Sequence, residues 1–204
     1  MTLDSPYSHA VLRRLIAAAL VSLSLTLLAL PARGQKAALR TNALYLATTT
    51  PNIGLDLRLS SRYTLSATVG YNAFNFGGSS AASNPKLHHW LVMPELKYWL
   101  YRSFECGYVG LHALYLDYNA GGIGFIPFLK ESRYAGWGAG AGLSYGHQWA
   151  IHKYWSVEAS VGVGYVYLDY DKYRCGNCGQ RLSEGTRHYV GPTKAAVSLI
   201  YYIR

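Results

Sequence analysis

Cys175 and Cys178 stand in the run Cys175-Gly176-Asn177-Cys178, a spacing that suits a zinc half-site, a redox pair or a local disulfide. A structural zinc needs four ligands, and only His188 is close in the sequence. A thioredoxin-like redox motif needs a βαβ setting, which the flanking residues do not offer. The reading that fits best is a disulfide or thiol pair that tightens a long polar stretch. Cys106 is left without a sequence partner and reads as inert.

Acid-base and nucleophilic chemistry finds little support. Ser144 and His147 are three residues apart, so a strand sends them to opposite faces. No Ser-x-His or His-x-Ser falls within a predicted strand, which argues against a hydrolase or an acyltransferase. His112 and Glu158 share a predicted face, where a histidine satisfied by a carboxylate is the simpler account.

Charge is more informative. Asp56, Arg58, Glu95, Lys97, Glu158 and Lys194 all fall on the small polar parity of alternating segments, three acids with three bases. An unpaired buried charge is very costly, so equal numbers predict an ion-pair network and not an open pore. Lys172, Arg174, Arg181 and Arg187 outnumber Asp171 and Glu184 in the stretch 171–189, a composition suited to anionic glycans or a surface partner. Gly136, Gly138, Gly140 and Gly142 repeat at every second residue and leave room for larger side chains opposite.

The elements that must position these groups are strands. In residues 155–170, WSVEASVGVGYVYLDY, Trp155, Val157, Ala159, Val161, Val163, Tyr165 and Tyr167 face one way, with Ser156, Glu158, Ser160, Gly162 and Gly164 facing the other. That period of two is incompatible with an amphipathic helix. The run exceeds the ~5–6 residues of an ordinary soluble strand and suffices to cross a bilayer when tilted.

Similar alternation marks 53–59, 63–73, 89–100, 104–115, 135–149 and 193–203, with 39–47 as the weakest strand. In 104–115 we place Val109, Leu111 and Ala113 outward with Gly110 and His112 inward. Pro94 predicts a bulge or an edge within its strand. The connections 60–62, 101–103 and 150–153 are tight, whereas 74–88, 117–134 and 171–189 are long. Short turns at one end and long loops at the other are the asymmetry of an outer-membrane barrel. Aromatic residues gather at both strand ends, including Tyr63, Tyr98, Trp155 and Tyr201 at the turns and Tyr71, Trp90, Trp137 and Tyr165 at the loops.

The first 34 residues read as an export signal: Arg13 and Arg14 precede the apolar run 15–30, and Ala32-Arg33-Gly34 offers small residues for cleavage before Gln35. Residues 35–204 then form one domain. The whole chain carries a net charge of +9. Losing Arg13, Arg14, Arg33 and Asp4 changes it to 9 − 3 + 1, or +7. A nucleic-acid partner is not expected of an exported chain without a binding motif. The 19 tyrosines and 21 glycines suit a β-protein that meets a membrane interface.

The segments TPNIGLDL, HHWLVMPELKYWL, YAGWGAGAGLSYGHQW, WSVEASVGVGYVYLDYDKYRCGNCG and GPTKAAVSLIYYI resemble a Bacteroidetes family of small outer-membrane β-barrel proteins of unknown function, over residues 37–204. The resemblance implies an eight-stranded antiparallel up-and-down transmembrane barrel, similar to the OmpA and OmpX type, in a family often encoded near fimbrillin genes. It carries no catalytic residues and implies no cofactor. The expectation is a monomeric, non-enzymatic barrel with long loops extracellular and termini periplasmic. It would contact lipid, lipopolysaccharide and a fimbrial or other surface protein; the alternative is an enzyme acting on lipid A. The final residue, Arg204, departs from the aromatic ending of many barrels, with Tyr202 the nearest substitute.

Overall fold

A computed structural model describes residues 37–75, 86–121, 132–174 and 181–203. The strands are β1 (Ala37–Asn42), β2 (Asn52–Arg58), β3 (Tyr63–Asn75), β4 (Lys86–Trp99), β5 (Cys106–Gly121), β6 (Ser132–His152), β7 (Trp155–Arg174) and β8 (Arg181–Ile203), with one short helix, α1 (Ala43–Ala47), after β1. Each strand pairs antiparallel with the next, and β8 returns to β1 to close an eight-stranded barrel. No described helix is long and apolar enough to cross a membrane.

The barrel is inverted relative to a water-soluble one. Asp56, Thr64, Ser66, Glu95, Lys97, His112, Ser156 and Glu158 are buried, whereas Ile53, Leu111, Leu143, Val161 and Val163 are exposed. Alternation along each strand produces this: one parity fills the lumen and the other covers the outside. On β5, Gly110 and His112 turn inward while Val109, Leu111 and Ala113 face out.

Three local expectations are corrected. The strand read over 39–47 stops at Asn42, and Ala43–Ala47 coil into α1. Asn42 is the cause: its side-chain oxygen accepts the Leu44 N–H at 3.1 Å, an N-cap, and alanine and leucine then favour helix. Second, residues 74–75, 86–88, 117–121, 132–134, 171–174 and 181–189, read as parts of long connections, lie in strands, because the strands continue past their apolar ends. Polar residues such as Asp117, Asp169 and Asp171 mark where the greasy outer band stops, but the hydrogen-bond ladder runs on through them. Third, Pro94 makes no bulge: it pairs with Ala67 on β3 in unbroken register, and the β4–β5 pairing resumes with its register unchanged at Glu95 and His112. On the β5 side the ladder is interrupted from Met93 to Pro94, where the ring removes a donor.

Candidate functional site: a charge cluster in the barrel lumen

Five of the six charges assigned to the lumen meet there. Lys97 Nζ lies 2.8 Å from Glu158 Oε2, 3.8 Å from Asp56 Oδ2 and 4.0 Å from Glu95 Oε2. Lys194 Nζ donates to both Glu95 oxygens at 2.7 Å. These side chains come from β2, β4, β7 and β8, on walls that face each other across the lumen.

Arg58 does not join them. It ends β2, where its Nε donates to Ser60 O at 3.2 Å, so its side chain is turned to the tight turn and away from the cluster. The third base is Arg40. Its guanidinium pairs with Glu158 and with Asp56 Oδ1 at 3.5 Å, and donates to Ser66 Oγ at 3.0 Å and Ser198 Oγ at 3.3 Å. The reading of 39–47 as one weak strand passed over it. The signal was in the sequence: Ala38, Arg40 and Asn42 alternate with Leu39 and Thr41, and all three are buried.

Neutral groups complete the network. Tyr108 OH donates to Glu158 Oε1 at 2.7 Å and accepts from Lys194 at 3.3 Å, and Lys97 stands 4.6 Å from the Tyr108 ring centre. Ser66 donates to Asp56, and Ser144 donates to Glu95 Oε1 at 2.5 Å. Three acids against three bases leave the cluster near neutral, and the hydroxyls offset the desolvation that makes buried ions costly. Among the described residues Asp56 Oδ2, His112 Nδ1, Gln148 Oε1 and Ser160 Oγ find no hydrogen-bond partner.

Glycines make the cluster possible, though not the ones singled out in the sequence. A Cβ on Gly54 would overlap the Arg40 side chain at 2.4 Å, and one on Gly110 would meet Glu95 Oε1 at 2.6 Å. A Cβ on Gly136, Gly140 or Gly142 would instead lie 2.0–2.4 Å from a β7 carbonyl oxygen, so these glycines permit a close approach of the two strands. Gly138 is covered by Leu168.

Below the charges an aromatic floor closes the turn end. The Trp99 ring packs 4.9 Å from Tyr108 and 5.9 Å from Phe104, and Phe104 packs 5.5 Å from Tyr202. Phe104 and Cys106 have φ of 71° and 64°, a conformation unfavourable to side chains that turns Phe104 under the barrel. Trp99 Nε1 finds Thr64 Oγ1 at 2.9 Å, so the floor leaves no indole donor unpaired.

The catalytic alternatives do not assemble. Ser144 binds Glu95 inside, while His147 packs at a tilt against Trp149 with ring centres 4.6 Å apart. His112 Nε2 lies 2.8 Å from Thr193 Oγ1, and Glu158 is held by Arg40, Lys97 and Tyr108. Cys175 and Cys178 lie outside the described residues, and Cys106 is a free, exposed thiol. Lys172 and Arg174 sit on β7, Arg181 and Arg187 on β8, so this basic group decorates strands and not a loop.

A protein-family model described as "Protein of unknown function (DUF3575)" matches residues 18–203. No curated protein matches the chain, and no solved structure does.

Proposed function

Since the chain belongs to the DUF3575 family, which carries no assigned activity, we propose from its surface that it is a non-enzymatic barrel of the bacterial outer membrane. One observation carries this reading: a continuous apolar outer band bounded by two aromatic girdles. Leu143 is 60%, Val161 65% and Val163 62% exposed. A soluble molecule rarely leaves so large a patch uncovered.

The girdles are physical contacts as well as a pattern. At the loop end Trp90, Tyr115, Trp137, Tyr167 and His188 form a chain of ring pairs 5.2–6.2 Å apart. At the turn end Tyr63 meets Tyr98 at 5.2 Å, and Trp155 meets Tyr201 at 4.9 Å. Along β7 the ten steps from Trp155 to Tyr165 cover about 33 Å. At a tilt of about 40° that is roughly 25 Å of height, the band of an outer-membrane barrel.

In this orientation the turns and termini face the periplasm and the tall ends of β5 to β8 stand outside, among lipopolysaccharide. The charge cluster and aromatic floor act as internal struts of a closed, monomeric barrel, and the exterior ends carry the interaction. The resemblance to fimbria-associated barrels makes a fimbrial subunit the first surface partner to try.

The test is membrane fractionation with flotation of the purified chain on lipid vesicles. The chain is expected in the outer-membrane fraction, extracted only by detergent and floating with vesicles. A chain dissolved in periplasmic extract without detergent overturns the reading.

A further inference from the structure

β8 spans 23 residues and its neighbour β1 only 6. Their pairing runs from Ala37 with Ile203 to Asn42 with Ser198 and goes no further. Directly above, the Asn42 side chain substitutes for a strand: its amide donates to Ala195 O at 3.2 Å and its oxygen accepts from Val197 N at 3.2 Å. Pro192, which has no N–H, and the register shift opposite Gly162 and Val163 complete this protected stretch. A second shift lies higher, opposite Lys172 and Tyr173.

Between these two irregularities, residues 183–190 pair with β7 in regular register. Among the described residues no strand pairs with their other edge. The stretch contains no proline and measures about 26 Å at ~3.3 Å per residue. Sheets normally blunt such an edge, because its row of N–H and C=O groups recruits another chain. Here the blunting devices bracket the stretch, and no strand among the described residues covers its backbone edge.

The geometry points to residues 183–190 of β8 as a docking edge for one extended strand of a cell-surface protein, carrying an acidic residue opposite Arg187. Only another main chain satisfies such an edge along its length, with affinity from the ladder and selectivity from alternate side chains. Arg187 is exposed and has no ion-pair partner among the described residues, so it supplies the charge selectivity. Val190, 81% exposed on the opposite parity, supplies an apolar contact. The side of the membrane on which this happens rests on the function proposed above; the edge itself does not.

The test uses the mature chain folded in detergent micelles and three synthetic nine-residue peptides. Two alternate valine and threonine around a central aspartate or lysine, and the third replaces every second residue of the aspartate peptide by proline. Amide hydrogen exchange is followed by mass spectrometry. The aspartate peptide is expected to slow exchange in 183–190 by about tenfold or more while leaving 198–203 unchanged, and the proline peptide to do nothing. Arg187→Glu is expected to reverse the preference from the aspartate to the lysine peptide. Unchanged exchange, equal slowing by the proline peptide, or a preference that Arg187→Glu leaves as it was overturns the inference. Vesicle flotation reads the membrane location separately: slowed exchange in a chain that does not float would sink the location and leave the edge standing.

Discussion

Glu158 is the side chain on which the lumen converges, fully buried and touched by Arg40, Lys97 and Tyr108. Glu158→Ala removes the nearest anion from two buried cations at once and leaves them only the longer contacts to Asp56 and Glu95, so a loss of about 3–5 kcal/mol is expected. Arg58→Ala, at the end of its strand beside the turn, is expected to change stability by no more than ~0.5 kcal/mol. Urea unfolding in micelles compares them, and equal losses would mean that the cluster contributes nothing special. Parity located Asp56, Glu95, Lys97, Glu158 and Lys194 because alternation alone decides which face a side chain takes. It misplaced Arg58 because parity gives a face and not a partner: two residues from Asp56, this long side chain turns to the Ser60 carbonyl at the tight turn. No strand pattern contains that choice.

Asn42 decides how two elements end. Its side chain caps α1 and fills the gap beside β8 that β1 leaves. Asn42→Ala removes all three hydrogen bonds, and a loss of about 1–2 kcal/mol is expected. Faster amide exchange at Val197, with β3 to β7 unaffected, would locate the damage at this seam. An evenly spread loss would refute the role given to Asn42. The strand ends were legible only as changes in polarity. The run Ala43–Ala47 alternates plausibly as a strand, and a capping contact with Leu44 turns it into helix. Conversely, 171–174 and 181–189 look like loop because they are polar, yet β7 and β8 each provide the other with a ladder.

For the whole molecule the decisive question is what covers the outer band. Val161 and Val190 are both well exposed, at 65% and 81%. In water, Val161→Arg and Val190→Arg would both be mild. With the middle of the bilayer over the first and its interface, at the level of Tyr165, over the second, Val161→Arg is expected to lose about 2–4 kcal/mol and Val190→Arg about 0–1 kcal/mol, read as unfolding midpoints in lipid vesicles. Equal, small effects would remove the membrane from the account. The aromatic floor and the buried charge layer add a second expectation: the intact barrel inserted in a planar bilayer shows no steady conductance. Ion flow through it would mean that the floor of Trp99, Phe104, Tyr108 and Tyr202 opens.

The residue order alone determined that there are eight strands, which parity of each meets the outside, and that the inside holds paired charge. These are consequences of a two-residue period, a property of each segment by itself. Which charges touch, where the ladders stop and which edge stays open were decided only on closure. Closing the sheet fixes the offset between neighbouring strands, bringing Arg40 from β1 to Glu158 on β7 and leaving the upper half of β8 beyond the reach of β1.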